Sequence, residues 1–549
     1  MPPIGAVESP VRKPPRTWEF YVALICLIIP LWSSIPLAWL FVGYALGSGR
    51  IWSFKCPGIA LFTLTLCEVH YCLSVAKIWP QNLSLQVLFS VYHTRLSRRV
   101  SGTVPRLIGD PEDVQRAFTR LLVTGLAHLP EDATDDDIKQ LEPDDPLAID
   151  FCNSLQTWFR QVPCSSVKLH EVRKWLFWTI FNADMPPVET LSASQQAVLD
   201  RAVDLLQKRS GHAFEEGSNP AVQPMRVTVD DVNILWRPLT YYVVITSINL
   251  CLKNLYRFRW DAHYGHYDGL EYLIRRPRRW DPAGGPRPIV FLHGLGLGLL
   301  QYNSIIMHLL QSFTDRPLLI LLQPEVSQDI FHPGYLRPMG RHHTADRLAR
   351  LMNELKWVEY DVGDDKEGET SLDSEEERAI VQALFGKRGR GVTMMSHSNG
   401  SYLHAWMLKG YPKMVGRSCF IDPVAFCAWE GDVCYNFVYR PCRTGLEVLM
   451  RYFVGTEIGV ANLIQRHFDW VSNSLWCEEV PNARDPSKTF FLLGGKDNIL
   501  NSERIKRYLT SHGVNGGIFY DPNGKHGQAL LPGSRGRSEI FRWLREEET

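Results

Sequence analysis

The second half of the chain alternates short apolar runs with longer amphipathic stretches. The apolar runs read PIVFLHG, PLLILLQP, GVTMMSHS, RSCFIDPV, KTFFLLGG and GGIFYDP. Uninterrupted runs of this length are typical of strands buried on both faces, as in a parallel sheet that helices cover. An earlier run at residues 269–277, GLEYLIRRP, is predicted to be an antiparallel edge strand. The pattern predicts a mostly parallel, doubly wound α/β sheet over residues 284–549, with its active site beyond the carboxyl ends of the strands.

The first 100 residues are predicted to anchor the chain in a membrane. Residues 20–46 carry no charge, and about 20 apolar residues are enough to cross a hydrocarbon core as a helix. A cleaved signal peptide has a shorter apolar region and a cleavage site of small residues. A second apolar stretch, residues 57–76, contains Glu68 and His70, which are costly in lipid. We therefore predict one or two transmembrane helices within residues 1–100.

Basic residues flank both apolar stretches, and this distribution bears on sidedness. If both stretches cross, the positive-inside tendency favours a hairpin with both ends in the cytosol, and a cytosolic catalytic domain. The sequon at Asn82 would then remain unglycosylated, because acceptor sites are used on the secretory side. No organelle is indicated.

Residues 101–283 have helical periodicity, for instance at 114–126 and 193–206. A third apolar run, residues 239–252, is too short to span a membrane comfortably, and we expect a core helix or one lying at the interface. This part of the chain contains no catalytic pattern. It is predicted to be a mainly helical region without an assigned role.

Charge and cysteine usage exclude several classes of protein. The 59 Lys and Arg residues balance 59 Asp and Glu residues, so no basic excess is available to neutralise phosphates, and we expect no nucleic-acid partner. The 12 cysteines occur singly, without a CxxC pair, which favours reduced thiols over a zinc site or a disulfide framework. We predict neither a cofactor nor a metal.

A serine lies where a strand pattern gives way to a helix pattern. The run SHSNG at residues 396–400 follows GVTMM and precedes SYLHAWMLK. A sharp turn between strand and helix exposes its central hydroxyl, and small flanking residues let the backbones pass closely. Ser398 is therefore the predicted nucleophile. The usual pattern at such a turn is G-x-S-x-G, and its first glycine is replaced here by Ser396. The motif taken alone therefore has low specificity.

An acid and a histidine follow in order, each on a loop after a strand. Asp497 begins the loop after KTFFLLGG, and His526 lies in DPNGKHGQALL after one more strand. A histidine can take the proton of a serine hydroxyl, and a carboxylate can orient the imidazole. We predict His526 as the base and Asp497 as the acid. Asp422, which ends the run FIDPV, is the alternative acid.

The serine turn and the order serine, acid, histidine resemble the α/β-hydrolase superfamily over residues 284–549. The run PIVFLHGLGLG matches the superfamily's oxyanion loop, and the resemblance implies backbone N–H donors at Leu295 and Asn399. It also implies an α/β-hydrolase fold with a helical cap at about residues 425–476, and acyl transfer through an acyl-enzyme.

The predicted cap is rich in aromatic residues, which are suited to lining an apolar cleft. With the anchor, this favours a hydrophobic ester, such as a lipid or a membrane-partitioned metabolite, and contact with membrane lipid. The runs IDPVAF, CYNFVYRP and RYFVGTEIGVANLIQRHFDW are similar to a largely uncharacterised group of membrane-associated hydrolase-like proteins common in fungi. That narrower resemblance implies no particular substrate, and the sequence does not identify a protein partner.

Several alternatives remain open from the sequence. An acyltransferase would use the same residues with an alcohol in place of water, and a membrane-anchored binding protein could keep the fold without activity. The glycines at 294, 296 and 298 do not form G-x-G-x-x-G, so a dinucleotide loop is disfavoured. His342 and His343 are candidate metal ligands, and this interpretation is disfavoured as well.

Overall fold

The computed structural model describes residues 15–48, 85–102, 111–123, 137–282, 284–358 and 391–546. The apolar stretch 57–76 and the sequon at Asn82 lie outside these residues. Backbone contacts divide the chain into two units. The smaller comprises Met1–Arg99, Asn233–Val243 and Arg440–Ile458, and the larger comprises Val100–Val232, Val244–Tyr439 and Gly459–Thr549.

The smaller unit contains an apolar N-terminal helical segment. Among the described helices, Trp18–Leu40 is the one long and apolar enough to cross a membrane, with a mean hydropathy of 2.1 and only 22% of its most apolar window buried. The helix is π-helical over Leu24–Ile28, immediately before Pro30. Proline lacks an N–H and its ring crowds the carbonyl four residues earlier, so a local widening of the helix accommodates it.

The helical segments of the smaller unit are Trp18–Ala23, Leu24–Ile28, Ile29–Ser48, Gly445–Met450 and Arg451–Gly455. The N–H of Thr17 donates to the carbonyl of Arg443 at 2.9 Å, and a Cβ placed on Gly445 would lie 2.8 Å from the carbonyl oxygen of Glu19. A glycine is therefore required where the first helix passes over Gly445–Met450.

One eight-stranded sheet forms the centre of the larger unit. Its strands, β1 to β8, are His263–Tyr267, Leu270–Arg275, Ile289–Leu292, Leu318–Leu322, Val392–His397, Val415–Ile421, Thr489–Gly494 and Ile518–Asp521. Their spatial order is β1-β2-β4-β3-β5-β6-β7-β8. β2 is antiparallel to β1 and β4, and β3 to β8 run parallel to one another. The prediction of a mostly parallel sheet is confirmed.

The prediction for residues 269–277 is correct in direction and wrong in position. β2 is antiparallel, but it lies between β1 and β4 and not at the edge. The edge strand at this end of the sheet is β1, whose sequence HYGHY has no apolar run and whose residues are exposed or half-buried. An edge strand that faces solvent lacks the continuous apolar pattern by which buried strands are detected.

Helices cover both faces of the sheet, as predicted for a doubly wound arrangement. On one face, Leu299–Ser312 and Arg535–Arg545 enclose the core formed by Phe291, Ile320 and Phe541. On the other face, Arg341–Glu354 packs against Gly400–Gly410. The sheet is therefore buried on both sides, which accounts for the continuous apolar runs of β3 to β7.

The remaining helices of the larger unit include two that the periodicity predicted, which are found at Pro111–Val123 and Ala193–Ser210. Ser192 and Gln195 form a reciprocal cap at the start of the second, and Gly211, with φ of 71°, ends it. The others are Pro146–Trp158, Leu169–Phe181, Asp432–Cys434, Trp470–Asn473 and Ser502–Ser511, with a π-helical segment at Tyr435–Tyr439 and short 3-10 turns. Leu85–Ser101, Leu239–Trp260 and Ile458–Arg466 contribute residues to both units.

Candidate active site

Ser398 lies in a sharp turn between β5 and the helix Gly400–Gly410. Its φ is 52°, in the left-handed region, which costs a residue with a side chain about 1–3 kcal/mol. The N–H of Ser398 donates to the carbonyl of Ile421 at 3.1 Å and holds this conformation. A Cβ on Gly400 would lie 2.3 Å from the carbonyl oxygen of Leu292, so the helix can start this close to β3 only with glycine there.

Ser396, which replaces the first glycine of the motif, is accommodated by a buried hydrogen-bond network. Its Oγ lies 2.9 Å from Nδ1 of His404, and Nε2 of His404 lies 3.1 Å from Oγ of Ser418. Burial lowers the pKa of His404 to about 3, so the ring is neutral. The serine is therefore tolerated because its hydroxyl has a partner in the core.

The structure brings the predicted nucleophile, base and acid together. Nε2 of His526 lies 2.9 Å from Oγ of Ser398, and Nδ1 of His526 lies 2.6 Å from Oδ2 of Asp497. The Asp497 side chain is fully buried, and its Oδ1 accepts from the N–H groups of Ile499 at 2.7 Å and Leu500 at 3.1 Å. These backbone donors fix the carboxylate in the orientation that meets the imidazole.

The charge environment of His526 favours its protonated form. Burial alone would lower the pKa of His526, but the charge of Asp497, its hydrogen bond and the charge of Asp422 outweigh burial and raise the pKa to about 8. An imidazole that gains a proton here is therefore stabilised by the two carboxylates.

Asp422, the alternative acid, lies close by but is bound to backbone. It is buried with φ of 42°, and its two oxygens accept from the N–H groups of Gly494 at 3.0 Å and Gly527 at 2.7 Å. Burial raises the pKa of Asp422 to about 6. The charge of Asp497 also raises this pKa, whereas the charge of His526 lowers it. The hydrogen bond of the imidazole goes to Asp497, while Asp422 holds the residue that follows His526.

The side chains of Asp422, Asp497 and His526 also place their ligand-type atoms within 4.8 Å of one another. Both oxygens of each carboxylate already accept a hydrogen bond, from backbone or from the imidazole. This arrangement fits proton transfer better than metal coordination. His342 and His343 are exposed in the first turn of the helix Arg341–Glu354 and belong to no three-ligand group within the described ranges.

The loop after β3 packs directly on the serine turn. A Cβ on Gly294 would lie 2.9 Å from Cβ of Ser398, so residues 293–296 can approach this closely only with glycine at that position. Among the described residues, the N–H groups of Leu295 and Asn399 have no hydrogen-bond partner. Two unpaired backbone donors beside the hydroxyl are suited to an oxygen that gains negative charge.

Tyr302 connects this loop to the turn, and sequence analysis missed it. Its hydroxyl accepts from the N–H of Gly294 at 2.9 Å and lies 2.9 Å from Nδ1 of His397. Burial lowers the pKa of His397 well below its usual range, which keeps the ring neutral. Tyr302 therefore joins the loop after β3 to the residue that precedes Ser398. The signal in the sequence that could have identified Tyr302 is its position among the apolar residues of the helix Leu299–Ser312.

The order of the site along the sheet now identifies the fold. The serine turn follows β5, the acid follows β7 and the histidine follows β8, in a sheet of order 1-2-4-3-5-6-7-8 with β2 antiparallel. The chain has the α/β-hydrolase fold. The resemblance to that superfamily is therefore confirmed at the level of the fold, and membership of the fungal group stays a prediction.

No family model matches the sequence, and a search of the curated proteins finds no match. Three solved structures illustrate the similarity. For each, the first percentage of coverage is the share of this chain that is aligned, and the second is the share of the other chain. Naproxen esterase (carboxylesterase NP) from Bacillus subtilis is 13% identical over 55% and 97% of the chains, with a TM-score of 0.35. A membrane phospholipase A, described as a bacterial virulence factor, is 14% identical over 55% and 90%, with 0.34. Carboxylesterase CesB from Bacillus subtilis is 10% identical over 55% and 98%, with 0.33. The fold assignment rests on strand order and on the serine turn, not on these alignments.

Replacing Gly400 with alanine tests the close approach at the turn. We expect Gly400→Ala to lower the free energy of unfolding by about 1–3 kcal/mol, because its Cβ would overlap the carbonyl of Leu292. Gly410→Ala, in the same helix, is the control, since its Cβ would meet its nearest neighbour at an ordinary 3.8 Å. Denaturant unfolding measures both, and equal stability of the two variants would contradict the assignment.

Proposed function

We propose that the chain is a serine hydrolase that cleaves an ester through an acyl-enzyme intermediate. The observation that carries this proposal is the continuous chain of hydrogen bonds from Ser398 through His526 to Asp497, with distances of 2.9 and 2.6 Å. A serine hydroxyl is a poor nucleophile unless a base takes its proton. The hydrogen-bonded imidazole is that base, and the carboxylate holds its tautomer.

The residues have distinct roles in the proposed reaction. Oγ of Ser398 attacks the ester carbonyl while its proton moves to Nε2 of His526. The N–H groups of Leu295 and Asn399 stabilise the oxyanion, each by about 3 kcal/mol. His526 then returns the proton to the departing alcohol, which leaves an acyl group on Ser398. Water, activated by the same imidazole, releases the acid and restores the serine; an alcohol in that place would make the reaction an acyl transfer.

The proposed substrate is a hydrophobic ester, and the aromatic residues of the predicted cap support this only in part. Trp429 and Trp476 stack on each other with centroids 4.0 Å apart, and Phe426 packs against Phe491 at 5.6 Å. These side chains are buried and stabilise the packing. Phe468, by contrast, lines a cavity that also reaches Asn399. Apolar lining next to the serine turn favours a substrate with an apolar part.

A membrane anchor is the second part of the proposal. The segment Trp18–Leu40 is long enough to span, and it leaves large apolar side chains exposed, including Ile25, Trp32 and Leu37. Exposing such a surface to water is unfavourable, whereas lipid would cover it. Anchoring would keep the catalytic unit near esters that partition into the bilayer.

Labelling with a fluorophosphonate probe tests the proposed nucleophile and acid. Ser398→Ala should abolish labelling, and Asp497→Asn should slow it by up to about 10⁴-fold, because the imidazole loses the group that fixes its tautomer. Asp422→Asn should slow it far less, since Asp422 does not bind the ring. Ser538→Ala, at a distant exposed serine, is the control. Stronger loss in Asp422→Asn than in Asp497→Asn would exchange the roles of the two acids.

The pH dependence follows from the raised pKa of His526. Only the neutral imidazole accepts the serine proton, so kcat/KM should fall as the pH drops below about 8. Removing the charge of Asp422 should move the midpoint to lower pH, because that charge helps to stabilise the imidazolium. A pH profile of ester hydrolysis in the wild type and Asp422→Asn measures both. A midpoint that rises in the variant would contradict this account.

Membrane attachment is tested by alkaline extraction of membranes that contain the full chain. We expect the wild type to remain in the pellet. The double variant Ile25→Arg, Ile29→Arg should be released, since arginine near the centre of a membrane helix costs about 2.5–3.5 kcal/mol. Leu531→Arg, at an exposed leucine of the larger unit, is the matched control. Release of the wild type under the same treatment would refute the anchor.

A further inference from the structure

A cavity of about 740 Å³ lies in the larger unit beside the serine turn. Asn399, Tyr402 and Trp406 line it from the turn and the following helix, and Gln323 lines it from the end of β4. Ser398 and His526 are not among its lining residues. The cavity therefore adjoins the serine turn at Asn399 and does not include the side chains of the nucleophile and the base.

The cavity has an apolar part and a cationic part. Leu322, Val326, Leu463 and Phe468 contribute apolar surface, and four arginines are also among the lining residues. These arginines are Arg337, Arg341, Arg347 and Arg466, and we refer to this space as the arginine cavity. Both kinds of lining in one cavity suit a molecule that has an apolar chain and a polar end.

Two of the four arginines are already engaged within the protein. Arg466 donates from Nη1 to the carbonyls of Thr228 at 2.8 Å and Asp230 at 3.0 Å. Nε of Arg347 lies 3.1 Å from Oδ2 of Asp268. Both guanidinium groups therefore have protein acceptors.

The other two arginines remain available. Arg337 is exposed and Arg341 is half-buried, and neither guanidinium group forms a hydrogen bond or ion pair with another residue in the described part of the chain. Unpaired guanidinium groups in a concave site are suited to carboxylate or phosphate, which they bind with two parallel hydrogen bonds.

The acidic residues of the cavity oppose these charges only weakly. Burial raises the pKa of Glu325 to about 7, so this carboxyl is partly neutral near physiological pH. Oδ1 of Asp469 accepts from the N–H of Ser472 at 3.0 Å as the cap of a short helix. Neither carboxylate forms an ion pair with Arg337 or Arg341.

A second feature of the cavity also indicates a polar ligand. Gln323 is only 6% exposed, and its Oε1 has no hydrogen-bond partner among the described residues. A buried acceptor without a partner is uncommon in folded proteins and costs stability, and a hydroxyl or N–H of a ligand would satisfy it, whereas the anionic group itself belongs at the arginines. Gly340 and Arg341 add the uncapped N-terminus of the helix Arg341–Glu354, whose backbone N–H groups favour an anion.

We propose that the arginine cavity binds an anionic group of the substrate, a carboxylate or a phosphate, through Arg341 and Arg337. The substrate is then an amphiphilic anionic ester, with its scissile carbonyl at Ser398 and its charged end in the cavity. This inference rests on the proposed hydrolase function and deepens it by naming the class of substrate.

The test compares three families of p-nitrophenyl esters of graded chain length. Their acyl chains end in a methyl group, a carboxylate or a phosphate monoester, and the two anionic families separate the two sources of charge. The wild type should have a higher kcat/KM for an anionic ester than for the methyl ester of equal length. Arg341→Gln should lower kcat/KM for the anionic ester by about tenfold, the loss expected for one charged hydrogen bond. The methyl ester should be unaffected.

Three controls keep the outcomes distinct. Arg350→Gln changes an exposed arginine of the same helix outside the cavity lining, and it should leave both classes of ester unchanged. The double variant Arg337→Gln, Arg341→Gln should remove the preference entirely, and its unfolding midpoint reports whether it is folded. Fluorophosphonate labelling should be equal in all variants, because none of the substituted arginines belongs to the hydrogen-bonded series Ser398, His526 and Asp497.

The remaining outcomes distinguish failure of the anionic-substrate inference from failure of the proposed hydrolase function. Labelling of the wild type without any preference for anionic esters would overturn the inference and leave the proposed hydrolase intact. An equal fall for both ester classes in Arg341→Gln would also overturn it, since the arginine would then act on the fold or the turn. A wild type that the probe does not label would overturn the proposed function and this inference together.

Discussion

The left-handed backbone at Ser398 is the constraint on which the rest of the site depends. A strand and a helix can meet at so sharp an angle only if the intervening residue has positive φ and the next is glycine, because the carbonyl of Leu292 lies 2.3 Å from any Cβ at Gly400. The turn places the hydroxyl above the sheet and brings Gly294 against it. The parallel sheet, buried on both faces, supplies the rigidity that maintains this strain.

Two carboxylates lie close to His526, and their backbone hydrogen bonds give them different roles. Asp497 uses Oδ2 for the imidazole and Oδ1 for two N–H groups. Both oxygens of Asp422 accept hydrogen bonds, from the N–H groups of Gly494 and Gly527. These bonds tie together the loop that carries the acid and the loop that carries the base. One carboxylate therefore orients the ring directly, and the other fixes the loops and adds negative charge. That charge would stabilise the imidazolium formed in the proposed reaction.

The sequence predicted the parts of this structure that depend on local pattern. Continuous apolar runs predicted the buried strands, and the order of serine, acid and histidine after successive strands predicted which residues meet. Contacts between distant segments could not be predicted in the same way. Asp422 and Asp497 end neighbouring strands, and only the backbone donors around each decide which one reaches His526. The bond from Tyr302 to His397 and the network of Ser396, His404 and Ser418 depend on three-dimensional proximity that no spacing encodes. The edge strand β1 was missed because its residues are exposed or half-buried and form no apolar run.

The most direct test of this account is a search for the covalent intermediate. Full-length protein in detergent is mixed with a p-nitrophenyl ester, quenched in acid within the first turnovers and digested, and its peptides are analysed by mass spectrometry. The account predicts that the mass of the acyl group appears on the peptide containing Ser398, and that the adduct is absent in Ser398→Ala. An adduct on a different residue, or turnover that persists in Ser398→Ala, would contradict it.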